Sequence, residues 1–520
     1  MRVRAFALAT ALVWASAAGA RTVAVEERGI EALQADMAAG RASSVDLVRA
    51  YLARIAAMDR KGPALHSVIA LNPDALAQAK ALDAERKAGR IRGPLHGVPV
   101  LIKDNIETAD RMPTTAGSLA LKDNVTGRDA PLVAFLRAGG AVILGKTNLS
   151  EWANIRSDRS MSGWSAMGGL VRNPDALDRT ACGSSSGSGA AVAASFASAA
   201  VGTETDGSVV CPSAMNGLVG LKPTLGLVSR THVVPISHSQ DTPGPMARSV
   251  RDAAILLSAM AAPDPADPAT AGTVVHDYAA GLSTSALSGL RVAVLRPERM
   301  SPMLGERFDT ALTVLGAAGA VLVPVERPKL DGLGEAEELV LHTELKADLD
   351  AYLATTPATV TARTLDGVIA FNRANAAAEM PWFGQETFEV SAKTRGLDDP
   401  AYKAARAKSL RLAGAEGIDA MLRAANATVL VQPAYGEPWL SDWVNGDQFS
   451  GPSSSGLPAV AGYPNLTVPM GLVRGLPVGL SFAATRGGDA VVLGAGYAYE
   501  QRAKARTAPT YRASADLGTR

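Results

Sequence analysis

Three short stretches of the chain carry residue types that can attack a carbonyl without histidine. Cys182-Gly183-Ser184-Ser185-Ser186-Gly187-Ser188-Gly189 is a glycine-flanked serine run. Thr203-Glu204-Thr205-Asp206-Gly207-Ser208-Val209-Val210-Cys211-Pro212 sets another serine behind an Asp-Gly turn. Far upstream, Lys103 ends the apolar run Gly97-Val98-Pro99-Val100-Leu101-Ile102. A lysine arriving from inside a sheet loses water and holds its proton weakly, so it can draw a proton from a hydroxyl. Joined to two glycine-flanked serines, it points to hydrolysis of an amide. Each part has a plainer reading alone: a strand-end lysine reaching for water, a flexible loop, a tight turn. The combination gives the chemistry its weight.

Two other matches fail on context. Gly140-Ala141-Val142-Ile143-Leu144-Gly145-Lys146-Thr147 fits the P-loop spacing, but its variable residues read as a strand rather than a phosphate-cradling loop. Gly183-Ser184-Ser185-Ser186-Gly187 fits a nucleophile elbow, which must follow a strand and needs a histidine far downstream. Here Asn173 to Thr180 is polar and turn-like, and the last histidine is His342. The six histidines (His66, His96, His232, His238, His276, His342) form no metal-ligand spacing and read as structural or surface residues. No Ser-x-x-Lys occurs. No metal and no cofactor are expected.

The elements that must position these residues alternate between helix and strand. Apolar spacing predicts a helix from Ile30 to Ala57, broken at Gly40 and restarted at Ser43, and another from Pro73 to Ala88. Gly97–Ile102 and Ala141–Leu144 read as buried strands, Gly189–Ala200 as a buried helix, and Val201 onward as a strand before a turn. Leu290–Leu295 and Ala320–Val325 are further strands around a helix at Phe308–Ala317. Residues 330–425 are helical and more charged, like a cover. Strands return at Leu466–Pro469 and Val478–Phe482, before a last helix from Gly488 to Lys504. The fold class is α/β, in one large domain over 21–520.

With 520 residues, 47% hydrophobic and 19% charged, the chain can bury a large core. Lys plus Arg is 51 and Asp plus Glu 50, so the net charge of +1 gives no pull toward nucleic acid or anionic membrane. Met1-Arg2-Val3-Arg4, the apolar Ala5–Ala17 and Ala18-Gly19-Ala20 read as a signal peptide over 1–20, which predicts a periplasmic or secreted protein free of the membrane after cleavage. The two cysteines, Cys182 and Cys211, bracket the suspected site. Export permits a bridge between them, but two buried free thiols are the expectation.

Beyond these residues, nearly the whole mature chain resembles the amidase signature family. Gly93-Pro94-Leu95-His96-Gly97-Val98-Pro99-Val100-Leu101-Ile102-Lys103-Asp104-Asn105 matches its lysine motif. Thr114–Ser118, Gly145–Asn148, Gly220–Thr224, Gly244–Arg248 and Gly475–Leu480 match supporting motifs. Phe371-Asn372-Arg373 and Pro381-Trp382-Phe383-Gly384-Gln385 look like the exported peptide amidase branch. The resemblance implies a large mixed twisted sheet covered on both faces by helices. It makes Lys103 the base, Ser184 the bridging serine after a cis bond from Gly183, and Ser208 the nucleophile. Ser185 supports the site, and the backbone N–H groups of Thr205, Asp206, Gly207 and Ser208 form the oxyanion hole.

Two positions depart from the family's commoner pattern. Asp206 replaces a glycine and Val210 an arginine, and Asp206 is expected to shape substrate choice. The implied activity is amide hydrolysis, with C-terminal carboxamides of peptides as the leading substrate. A broader amidase or esterase on aryl, aliphatic or cyclic amides is the alternative, and an inactive binding protein on the same scaffold the reading from another class. The family's cytoplasmic transamidation enzyme is disfavoured by the signal peptide. Trp382, Trp439 and Trp443 suit either a cleft wall or the core. Oligomeric state is not legible.

Overall fold

Runs of consecutive apolar and small residues, rather than alternating ones, mark strands covered on both sides, because successive side chains point to opposite faces. Such runs dominate this molecule. A computed structural model describes residues 23–516, so the expected signal peptide over 1–20 lies outside the described residues. Among those described, no helix is long and apolar enough to cross a membrane.

Thirteen strands occur among the described residues: β1 (Val68–Leu71), β2 (Pro99–Lys103), β3 (Val142–Thr147), β4 (Trp164–Ser165), β5 (Gly169–Leu170), β6 (Ala199–Glu204), β7 (Val219–Lys222), β8 (Thr242–Ala247), β9 (Arg291–Leu295), β10 (Val321–Val325), β11 (Val429–Pro433), β12 (Asn465–Val473) and β13 (Leu476–Ala483). Eleven form one mixed sheet in the order β1-β3-β2-β6-β8-β7-β12-β13-β11-β9-β10, and β4 pairs with β5 alone. β3, β2 and β6 run parallel, with Leu101 beside both Gly145 and Ala200. β6 and β8 are antiparallel, with Glu204 opposite Thr242. Every residue of β2, β3, β6, β7 and β8 is buried, which fits helices on both faces.

The helix restart after Gly40 is a capping box: Ser43 accepts from the Asp46 N–H and the Asp46 carboxylate accepts from the Ser43 N–H, opening the helix Ser44–Met58. Val142 to Leu144 lie within β3, so the P-loop spacing is a strand. The expected helix over Gly189–Ala200 is shifted. It spans Ser186–Ala193, and Ala199–Ala200 belong to β6. An alanine-rich run has no apolar periodicity to separate helix from strand. The boundary is set instead by the serines at the start and by Ser195, which turns into the left-handed region at φ 57°.

Small residues let this helix press against its neighbours. A Cβ on Gly187 would meet the Ser67 and Asn148 carbonyls at 2.3 and 2.4 Å, and one on Gly202 of β6 would meet Ser185 Oγ at 2.7 Å. Residues 330–425 do form helices, including Leu333–Ala354, Leu365–Ala374, Glu386–Ser391 and Pro400–Ala413. Leu345, Leu349, Leu365 and Phe388 share a hydrophobic cluster with Leu121 and Trp152, which fastens this cover over the segments that follow β2 and β3.

Candidate active site

Lys103 is the last residue of β2 and is fully buried. Its Nζ lies 2.7 Å from Ser184 Oγ, 2.9 Å from Thr203 Oγ1 and 3.1 Å from the Thr203 carbonyl. Thr203 belongs to β6, next to β2, and its Oγ1 also accepts from Asn105 Nδ2 at 3.0 Å. Burial lowers the Lys103 pKa from 10.5 to about 7, against the opposing pull of the Asp241 and Glu204 carboxylates. A neutral amine has two N–H groups and one lone pair. With the N–H groups turned to the two Thr203 oxygens, the lone pair faces the Ser184 hydroxyl.

Ser184 follows a cis bond from Gly183. Only glycine fits before it, since a Cβ at 183 would lie 2.1 Å from Ser150 Oγ. Ser150 N–H donates to the Ser184 carbonyl at 3.0 Å. Ser185 ties three parts together. Its N–H donates to the Ser208 carbonyl at 3.1 Å, its hydroxyl donates to the Thr203 carbonyl at 3.2 Å, and that hydroxyl accepts from the Thr203 N–H at 3.2 Å.

The second serine sits in the turn between β6 and the helix Val210–Met215. Gly207 holds φ at 82°, and a Cβ there would meet Tyr435 Oη at 2.0 Å, so this position requires glycine twice over. The Glu204 carboxylate accepts from the N–H groups of Val209 and Val210 at 2.8 and 2.9 Å and so caps that helix. Among the described residues, no acceptor takes the N–H of Thr205, Asp206, Gly207 or Ser208. The turn therefore presents unspent donors around a serine that remains 8% exposed.

The expected free thiols are corrected: Cys182 and Cys211 form a disulfide. The two serine turns bring the cysteines together, a distance that spacing in sequence does not state.

Asp206 opens onto a cleft of about 900 Å³, shared with Gln432, Ser453, Gly456, Arg299 and Lys329. Asp206 is exposed on that cleft, and desolvation by the surrounding protein pushes its pKa up. Several neighbours escaped sequence reading. Gln240 Nε2 donates to the Thr205 carbonyl at 3.2 Å and to Glu337 Oε1 at 3.0 Å, linking the cover helix Leu333–Ala354 to the turn. Burial and the Asp206 carboxylate raise Glu337 to about 8. Asp241 accepts from Thr205 Oγ1 at 2.6 Å and from the Ile236 and Ser237 N–H groups. These residues come from other segments, and no local spacing announces them.

The remaining motif residues build the frame. Lys146 is buried and donates to the Ile106 carbonyl and to Thr114 Oγ1, and Lys222 donates to the Pro223 carbonyl. Arg248 donates to the Val192 and Ala197 carbonyls, clamping the end of the serine-led helix. Asn372 Nδ2 donates to Gln385 Oε1, and the Arg156 guanidinium lies 4.3 Å from the Phe383 ring centre. Trp382 and Trp443 are neither core nor isolated: both are about half exposed and stack with ring centres 4.6 Å apart. His238, Glu344 and Asp348 bring ligand-capable atoms within 4.8 Å of one another, a proximity the histidine spacing does not reveal. The Glu344 carboxylate already accepts from Ser237, Ser239 and Tyr402 hydroxyls, and His238 Nδ1 pairs with Asp348 at 2.9 Å.

Known proteins resemble this chain over nearly its whole length. The family model described as Amidase matches residues 46–493. The chain is 52% identical to the native peptide amidase of Stenotrophomonas maltophilia, covering 94% of this chain and 99% of that one at a TM-score of 0.89. It is 35% identical to an amidase family protein from Bacillus anthracis, covering 94% of this chain and 93% of that one at a TM-score of 0.84. It is 37% identical to a probable amidase of Arabidopsis thaliana, over 94% of this chain and 93% of the relative.

Proposed function

We propose that this chain, which belongs to the amidase family, is an exported enzyme that removes ammonia from C-terminal carboxamides of peptides. Family membership makes it an amidohydrolase acting on carbon–nitrogen bonds. The observation that carries the relay mechanism is the buried contact of Lys103 Nζ with Ser184 Oγ, in a turn hydrogen-bonded through Ser185 to Ser208.

In this reading neutral Lys103 takes the Ser184 proton as Ser184 takes the Ser208 proton. Ser208 Oγ then attacks the carboxamide carbon. The oxyanion is met by the unspent N–H groups of the Thr205–Ser208 turn, each worth roughly 3–4 kcal/mol in comparable sites. The relay returns a proton to the nitrogen, ammonia leaves, and an acyl-Ser208 ester remains. Water, deprotonated by the same relay, releases the peptide acid and restores the serine. No step calls for a metal or a cofactor.

The peptide substrate is supported by the 52% identity to a peptide amidase across almost the whole chain. Export is supported by the basic, apolar and small-residue order of the first twenty residues and by the buried disulfide, since such bonds persist in oxidising compartments.

Release of ammonia from peptide amides and aliphatic amides, of aniline from anilides and of new amino groups from free peptides should be measured. Peptide amides are expected to lead in kcat/KM by about 10- to 100-fold, the range that pocket contacts supply. Equal or faster turnover of anilides or short aliphatic amides would replace the peptide reading with a broader amidase. On the same panel Asp206→Gly is expected to reorder the substrates while the best one keeps kcat within about tenfold, because it alters the cleft and keeps the turn's N–H donors. Uniform loss across the panel would assign Asp206 to catalysis instead of selection.

A further inference from the structure

We propose that the Cys182–Cys211 disulfide is a positioning element for catalysis: it locks the distance between the Ser184 turn and the Ser208 turn, and its reduction lowers turnover. This rests on Ser184 and Ser208 being the relay and the nucleophile.

The bridge joins the two turns close to their working atoms. Cys182 stands two residues before Ser184, and Cys211 three residues after Ser208, with Cα atoms 6.0 Å apart. Its surroundings are apolar and closed: Val210, Ala214, Met215, Ala434 and Tyr435 form one buried cluster with it. Cys182 and Cys211 are 5% and 1% exposed. Tyr435 of this cluster also abuts Gly207.

The other ties between the turns are few and weaker. Ser185 N–H donates to the Ser208 carbonyl, and Asn216 Nδ2 donates to the Ala181 carbonyl at 2.9 Å. Glu204 holds the nucleophile turn to β6, and Lys103 holds Ser184 to β6, but neither spans from one turn to the other. The disulfide is the covalent link that does. Proton transfer between hydroxyls needs heavy atoms within about 3.2 Å, so small drifts of one turn against the other are costly. Displacements near 1 Å cost roughly 100-fold in rate. Forming the bond removes two electrons and two protons from the thiols, and an external disulfide accepts both as it becomes two thiols.

Denaturing alkylation without reductant should label neither cysteine of the native full chain, and prior treatment with dithiothreitol should expose both. The reduced wild type and the Cys182→Ala/Cys211→Ala variant are then compared with the oxidised enzyme for kcat, KM and far-UV circular dichroism. The expected result is native dichroism, kcat lower by roughly 10- to 100-fold, KM within about threefold, and recovery of the wild type on reoxidation. Two alkylated cysteines in the native chain would overturn the proposal. So would unchanged kcat with only a lower Tm, or loss of native dichroism in both reduced forms, because either outcome makes the bond a plain stabiliser. Ser208→Ala is assayed alongside. If that variant retains activity, the relay reading itself fails; if it is inactive while the reduced enzyme is fully active, only the positioning role fails.

Discussion

Ser208→Ala is expected to lower kcat/KM for a peptide amide by about 10,000-fold or more, the loss typical of removing a serine nucleophile from a working relay. In the proposed relay the acyl-serine ester cannot form without Ser208 Oγ, which leaves only the rate that the proposed oxyanion donors and binding supply. The fold should tolerate the change. The Ser208 carbonyl, not its hydroxyl, accepts from Ser185, and Glu204 caps Val209 and Val210 through main-chain groups. A thermal melt within a few degrees of wild type therefore accompanies the lost ammonia release. Ser184→Ala should also fall steeply, since Lys103 then has no hydroxyl through which to act. A Ser208→Ala rate within tenfold of wild type would move the nucleophile elsewhere. The other serines of the run are poor replacements: Ser188 Oγ is bonded to Thr147 Oγ1 at 2.7 Å, and Ser185 Oγ is spent on Thr203.

What could be read from residues alone was the part of the site held within short segments. Lys103 at the end of an apolar run, Gly183 before Ser184 and Gly207 before Ser208 are all local patterns, and each glycine has a steric reason in the folded chain. Strand and helix identities were legible for the same reason, down to the capping box at Ser43. Pairings across the chain were not. Gln240, Asp241, Glu337 and Tyr435 reach the Ser208 turn from separate elements, and nothing in their spacing marks them. The cysteines illustrate the boundary between the two kinds of information. Their positions beside the serines were evident, but whether they bridge depends on how closely the two turns pack. The shifted helix at Ser186–Ala193 failed differently: an alanine-rich run has no apolar periodicity to mark where the helix ends, so tertiary packing chose the boundary.

Lys103→Met should separate activity from stability in opposite directions. The proposed relay needs a neutral amine, so wild-type kcat/KM should climb as pH rises through about 7 and level off above, following deprotonation of Lys103. Methionine offers no basic lone pair to Ser184, and kcat/KM should drop by about 1,000-fold or more from the plateau above pH 7, with a flat pH profile. Lys103→Arg should not rescue, because a guanidinium keeps its proton. Stability follows from the same burial. The unfolded lysine titrates near 10.5 and the folded one near 7, so between these values the unfolded chain binds more protons and stability rises with pH. Below about 7 the folded state carries the full penalty of a buried charge, on the order of 3–5 kcal/mol. Its removal leaves Thr203 well served, since Oγ1 still accepts from Asn105 and the carbonyl from Ser185 Oγ. The Ser184 hydroxyl loses its partner, at about 1–3 kcal/mol. The variant is therefore expected to melt higher than wild type at pH 6, with the advantage shrinking toward pH 10. A variant that melts lower at pH 6 than at pH 10 relative to wild type would show that Lys103 is charged and paired in the folded enzyme, and it could not then begin the relay as a base.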